Sequence, residues 1–260
     1  MSSIFDLSGK TAIVTGSSRG IGKAIVEQLA AHGANVVVSS RKAGPCEEVA
    51  ASINATLGTN GKSPRAIAIP ANISSKEDLQ RLVDQTNEAF GQIDIVVCNA
   101  ASNPYYGPMA GIADDAFAKI LQNNIISNHW LISMVAPKMR ARQSGNITII
   151  SSIGGIKATD VIGAYNISKA ADMQLARNLA LEFGGDGVTV NCIAPGLIKT
   201  DFARALWEDP KILKQATTHS CLKRIGEPDE IAGMAVFLAS RAGGFTTGQT
   251  FVIDGGATVV

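Results

Sequence analysis

"TAIVTGSSRGIGKAIVEQLAAHG", residues 11–33, decides the fold. A short β-branched run at 11–16 breaks into a glycine-rich turn and then into a helical pattern that lasts to Gly33. Working outward, β-branched runs return at 35–40, 65–73, 93–100, 146–152, 188–196 and 249–256. Helical patterns separate most of them, among them 46–58, 76–91 and 118–132. Alternating strands and helices call for parallel strands joined by crossover helices that cover both faces. About seven strands in this rhythm predict an α/β fold built on one doubly wound parallel sheet. No repeat, low-complexity linker or composition break divides the chain, so residues 1–260 are expected to form a single domain.

Bulk composition narrows the function. A hydrophobic fraction of 46% is enough for a sizeable core. The formal charge of +1 offers no field for nucleic acid or a membrane surface, so neither is expected as a partner. Cys46, Cys98, Cys192 and Cys221 lie far apart without a C-x-x-C, and Cys98 and Cys192 sit in apolar runs as small core hydrophobes. Neither a disulfide framework nor a zinc site fits that pattern, and no metal is expected. The start "MSSIFDLSGK" lacks the regions of a signal peptide, and no apolar run approaches transmembrane length. The end "GATVV" is neither a peroxisomal nor an ER address, so a cytoplasmic protein is expected.

The turn itself, Thr15 to Gly22, has glycines at 16, 20 and 22. Gly16 permits the tight turn, while Gly20 and Gly22 let backbone approach a pyrophosphate at a helix N-terminus. The spacing is G-x-x-x-G-x-G, and its place at the first strand–helix junction favours nucleotide binding over a plain turn. NAD-binding versions carry an acid about 20 residues on, for the ribose 2′-hydroxyl. Here Ser40 stands at that place with Arg41 beside it, Arg19 lies in the turn, and the first acid after Glu27 is Glu47. Two guanidiniums and a hydroxyl suit a 2′-phosphate, so NADP(H) is expected in preference to NAD(H).

These motifs, in order, resemble the short-chain dehydrogenase/reductase family over essentially the whole chain. The residues that carry the resemblance are Thr15-Gly16 to Gly20-Ile21-Gly22, "CNAA" at 98–101, Asn124, Ser152, Tyr165 with Lys169, "NCIAPG" with Thr200, and "DGG" at 254–256. The resemblance implies one Rossmann-type domain that binds a dinucleotide and performs catalysis. It departs from the family pattern at Ala101, where a glycine is usual, and at Asn72, where an aspartate is usual; Asn72 can still meet an adenine edge through its carbonyl. "ASNPYYGPM", "NCIAPGLIKTDFARALW" and "KRIGEP" are most similar to the dehydrogenase/reductase member 4 group, NADP-dependent carbonyl reductases of ketones, α-dicarbonyls and retinoids.

Tyr165 and Lys169 are an i, i+4 pair and share a helix face. A free phenol titrates near 10, too high for a base at neutral pH, and a close cation typically lowers such a value by about 1–3 units. The spacing therefore makes Tyr165 a credible acid/base. The resemblance implies that Lys169 also holds the nicotinamide ribose, and that Asn124 holds a water in a relay to Lys169. Ser152, at the end of a strand, can bond the substrate carbonyl and the developing alkoxide. Each has a plainer reading as a surface pair, a turn hydroxyl or a back-bonded helix asparagine; together they point to catalysis.

The expected cofactor contacts are Gly16, Ser18, Arg19, Gly20, Ile21, Gly22, Ser40, Arg41, Asn72, Asn99, Ala100, Tyr165, Lys169, Pro195, Gly196, Ile198 and Thr200. Residues 200–222 read as a helical lid, with "NPYYGPM" at 103–109 as the facing loop. Tyr105, Tyr106, Met109, Ile156, Leu197 and Trp207 would border an apolar pocket for a small-molecule carbonyl or alcohol. The expected function is an NADP(H)-dependent oxidoreductase of the carbonyl-reductase type. A 3-oxoacyl thioester reductase, a polyol or sugar dehydrogenase, and a catalytically idle NADP-binding sensor or scaffold remain open. The resemblance also implies a homo-oligomer, a tetramer ahead of a dimer.

Overall fold

The computed structural model describes residues 3–60, 63–218 and 220–259. Its centre is a seven-stranded parallel sheet: β1 (Thr11–Thr15), β2 (Asn35–Ser39), β3 (Ala66–Ala68), β4 (Ile95–Cys98), β5 (Gly145–Ile150), β6 (Val188–Pro195) and β7 (Thr250–Ile253). The spatial order is β3-β2-β1-β4-β5-β6-β7. The direction of winding reverses between β1 and β4, which opens a crevice at the strand C-termini where ligands bind in such sheets.

Successive side chains along each strand serve opposite layers. Ile13, Val37, Val96, Ile147 and Val190 are in register across five strands and enter one hydrophobic cluster. Their neighbours Ala12, Val14, Val36 and Val38 enter the other. The first layer is closed by α3 (Lys76–Phe90), α5 (Ser127–Ala141) and α6 (Gly163–Phe183). The second is closed by α1 (Gly20–Ala31), α2 (Ala43–Leu57) and α8 (Pro228–Ala239). Burial on both faces explains why these strands read as unbroken β-branched runs.

All seven expected strands are present, with four local differences. The third is an edge strand of only three residues, and Pro70 beyond it costs no ladder bond, since the Ile69 and Ala71 amides on either side still donate to the Val38 and Ser40 carbonyls. A two-residue ribbon pairs Thr59–Asn60 with Ser63–Pro64. The helix expected over 118–132 spans more: α4 (Asp114–Leu121) runs through one π-helical turn at Gln122–Ile126 straight into α5. The helix expected over 201–222 is broken. A 3-10 stretch at Asp201–Leu206 is followed by α7 (Pro210–Thr217), with Asp209 capping α7 and Pro210 at its start. His219 in that stretch lies outside the described residues.

Candidate active site

The glycine turn is braced from two sides. Ser17, fully buried, donates to the Val14 carbonyl and accepts from the Ser39 amide at 2.9 Å, tying the turn to β2. Asn99, just past β4, donates to the carbonyls of Thr15 and Gly16 at 2.9 and 3.1 Å. The Thr15 hydroxyl accepts from the amides of Asn99 and Ala100 at 3.0 and 3.1 Å. Gly16 and Gly20 both take positive φ, 67° and 56°, which glycine adopts without a steric penalty. A Cβ at Gly22 would overlap the Gly16 carbonyl and the Asn99 amide.

α1 begins without a side-chain cap, since Arg19 at its N-cap makes no capping bond. Bare backbone and free N-terminal amides form a cradle suited to the pyrophosphate of a dinucleotide. Ile21 and Ser18 are half-buried in that turn. Thr200, at the far wall, would lie 3.2 Å from a Cβ on Gly20, so the loop after β6 closes directly onto the glycine turn. Pro195 ends β6, and Gly196 packs so tightly on Asp254 of "DGG" that a Cβ would come within 2.7 Å of its backbone.

Of the residues expected at the 2′-phosphate, Arg41 is exposed and makes no ion pair among the described residues, whereas Arg19 lies 3.5 Å from Asp201. Ser40 turns its hydroxyl onto the Cys46 thiol at 3.0 Å. Asn72 is exposed and its side-chain carbonyl accepts from the Ser74 amide at 3.1 Å, which leaves a second lone pair and the Nδ2 amide. Ile198 sends its side chain into the core, leaving only its backbone to face a ligand.

Tyr165 and Lys169 do share a face of α6. The Lys169 ammonium lies 5.6 Å from the centroid of the Tyr165 ring. Lys169 is only 2% exposed and donates to the Ile150 carbonyl at 2.8 Å, at the end of β5. Its third-neighbour Asp172, 0% exposed, pairs with it at 3.0 Å. Burial opposes the charge on Lys169, but Asp172 and the Tyr165 phenol lift it above the ordinary lysine value. Burial likewise raises the Asp172 carboxyl, against the pull of Lys169 and Asn128.

Ser152 follows two residues after Ile150 and accepts from the Gly154 amide at 3.1 Å, capping the turn that packs on α6 at Lys169. Its hydroxyl proton remains available for a carbonyl oxygen. Asn124 sits in the π-helical turn, an element frequent at functional sites. Its side chain holds the Ser102 amide at 2.8 Å, the Ser102 carbonyl at 3.1 Å and the Ser168 hydroxyl at 3.0 Å. Its main-chain carbonyl accepts from Asn128 at 2.7 Å, and Asn128 donates onward to Asp172 at 3.1 Å. Asn124 and Lys169 are thus linked through side chains.

One aromatic ring stands beside Tyr165. The Phe202 ring lies 6.0 Å from that of Tyr165, and Met109 packs against Gly163 at the start of α6. Of the residues expected to border a pocket, Tyr106, Met109 and Ile156 are exposed, while Tyr105 folds its hydroxyl back onto Pro108 and Trp207 donates to the Thr200 carbonyl at 2.8 Å. Sequence reasoning missed Phe202, Ser17 and Asp172. No group of metal-ligating side chains occurs among the described residues, and no helix among them is long and apolar enough to cross a membrane.

A protein-family model described as enoyl-(acyl carrier protein) reductase matches residues 16–258. Dehydrogenase/reductase SDR family member 4 of Bos taurus is 39% identical over 251 residues, covering 96% of this chain and 88% of the relative. The chain belongs to the short-chain dehydrogenase/reductase family. Among solved members of that family, a 3-oxoacyl (acyl-carrier-protein) reductase from Agrobacterium tumefaciens with NADP bound superposes with a TM-score of 0.89 at 36% identity, covering 97% of this chain and 96% of that one. A gluconate 5-dehydrogenase from Burkholderia cenocepacia in complex with NADP and tartrate gives 0.91 at 29% identity, over 98% of each chain. The protein is therefore an oxidoreductase of this family, and the glycine cradle described above is the feature it needs for a nicotinamide dinucleotide.

Proposed function

We propose that this short-chain dehydrogenase/reductase is an NADP(H)-dependent carbonyl reductase of small or hydrophobic ketones and aldehydes, the 260 residues acting as one catalytic unit. The observation that carries the reading is Tyr165 and Lys169 on one face of α6, with the Phe202 ring beside that of Tyr165 and Met109 against Gly163 at the start of the helix. When bound, a nicotinamide supplies or accepts the hydride. Tyr165 delivers a proton to the carbonyl oxygen in reduction and takes it back in oxidation. Ser152 donates to that oxygen and steadies the developing alkoxide. Lys169 holds its charge beside the phenol, and Asn124 ties the Ser102 loop to α6. Residues 200–222 cover the substrate, Phe202 and Trp207 leading the cover.

NADP(H) preference is favoured by Arg41 and by the absence of an acid at the end of β2, and the NADP complexes of the two relatives fit that reading. The similarity to dehydrogenase/reductase SDR family member 4 favours carbonyl substrates. A second reading, 3-oxoacyl thioester reduction, draws on the family model's description and on the Agrobacterium relative. It asks for a free basic patch to dock an acyl carrier. Arg140 is occupied by Glu182 and Asp186, Arg142 by Asp94 and the Ile93 carbonyl, and Arg177 by Gln174, which favours the first reading.

Assembly into a homo-oligomer, a tetramer ahead of a dimer, is part of the proposal. Exposed Leu181 and Ile167 on α6, Val252 in β7 and Phe245 before it are apolar residues it would cover. Four free thiols, three of them buried, suit a reducing compartment such as the cytoplasm. The test is consumption of NADPH and NADH with α-diketones, aromatic ketones, retinal and an acetoacetyl thioester, by wild type and Tyr165→Phe. Turnover of apolar carbonyls with NADPH, lost by a factor of about 10²–10⁴ in the variant, is expected. Turnover of the thioester alone would move the protein to acyl reduction, and NADP binding without any turnover would leave the idle binder.

A further inference from the structure

Asp172 has no part in the chemistry above, yet its carboxylate lies in the same dry space as the Lys169 ammonium. Both its oxygens are used: Oδ2 accepts from Lys169 at 3.0 Å and Oδ1 from Asn128 at 3.1 Å. Lys169 spends two of its three protons inside the protein, on Asp172 and on the Ile150 carbonyl. An unpaired ammonium in a poorly screened interior acts on its neighbours as a full charge. With a carboxylate 3.0 Å away the pair acts as a dipole, whose field fades more steeply with distance.

We propose that Asp172 is a positioning residue acting through Lys169: it seats the ammonium against the end of β5 and cancels much of its field, so that Tyr165 keeps its proton to a higher pH than beside an unpaired lysine. The inference rests on the reading of Tyr165 as the proton donor. The other groups facing the pair are the thiols of Cys98 on β4 and Cys192 on β6, with Arg177 further along α6, while α5 presents the uncharged amide of Asn128. Burial pushes both thiols up, so neither carries charge near neutral pH. Asp172 is then the anion that sets how strongly Lys169 acts.

The experiment follows the ultraviolet absorbance of tyrosinate in the cofactor-free protein, with Tyr165 assigned by difference from Tyr165→Phe. In Asp172→Asn the Tyr165 midpoint is expected to fall by about one pH unit. In Asp172→Glu it is expected to return towards wild type. The pH of half-maximal alcohol oxidation with NADP⁺ should move in parallel. Identical midpoints in wild type and Asp172→Asn would overturn the proposal. Should Asp172→Asn fail to fold, carbon-13 NMR of the wild-type Asp172 carboxyl, assigned by its loss in Asp172→Glu, decides: ionised at pH 7 is expected, and a protonated carboxyl overturns it. Full turnover by Tyr165→Phe would sink the catalytic reading, whereas a dead Tyr165→Phe beside an unshifted Asp172→Asn sinks only the role of Asp172.

Discussion

The Asn99 side-chain amide donates to the Thr15 carbonyl at 2.9 Å and so fastens the end of β4 to the end of β1. Those two strands flank the crevice where the winding reverses, and the glycine turn hangs from this joint. Gly22→Ala would drive a methyl into the Asn99 amide and the Gly16 carbonyl, and the carbonyl is backbone that cannot swing aside. A loss of about 1–3 kcal/mol is expected, as for other overpacked sites. Urea unfolding reads the stability, and calorimetric titration with NADPH should show weakened binding; unchanged values in both would contradict the described packing.

Arg41 is exposed and makes no ion pair among the described residues, whereas Arg19 already has Asp201. Arg41→Ala should therefore weaken NADPH binding by about tenfold or more, the range of one charge-assisted hydrogen bond. NADH binding should hardly change. Equal effects on the two cofactors, measured by titration, would remove Arg41 from the 2′-phosphate site.

Asn124→Ala deletes the side-chain bonds to both backbone groups of Ser102 and to the Ser168 hydroxyl. Stranding such partners costs about 1–3 kcal/mol. The expected result is a lower unfolding midpoint together with a lower kcat, because the Ser102 loop and α6 lose their common anchor. A variant as stable and as fast as wild type would show that the anchor is dispensable.

Arg224 and the Glu227 amide hold the Glu230 carboxyl down to about 2, from an ordinary 4.5. A lowered folded-state value stabilises the protein above the unfolded value of about 4.5 and ceases to do so as pH falls through about 2. This contact caps α8 and steadies the turn whose Gly226 pairs with Ile198. Wild type should melt above Glu230→Gln at neutral pH, and the gap should close as pH drops from about 4.5 to about 2. A gap that persists at the acid end would assign the effect to something other than the charge.

The strands were legible because a parallel sheet buried on both faces leaves β-branched runs that nothing else in the chain imitates. The glycine turn was legible through its place between β1 and α1, and the spacing of Tyr165 and Lys169 put them on one face of a helix. Asp172 was not, since an acid three residues after a lysine on a helix reads as an exposed pair, and only burial distinguishes it. Phe202 escaped because its short 3-10 stretch has no periodicity to reveal which way a ring points. The break in the stretch over 201–222 had a signal that went unused: Asp209-Pro210 is a cap followed by a first-turn proline.

The π-helical turn at Gln122–Ile126 also carries a consequence for chain length. Adjacent residues of an α-helix point about 100° apart, so neighbours do not ordinarily grip the same target. Here Asn123 donates to the Ser102 hydroxyl at 2.8 Å while Asn124 holds the Ser102 backbone. The extra residue sets α4 and α5 out of phase and lets two consecutive amides act as one pincer. Removing a single residue from this turn would restore ordinary α-helical winding and leave only one of the two amides facing Ser102. Length at this point, more than composition, decides whether the pincer can close.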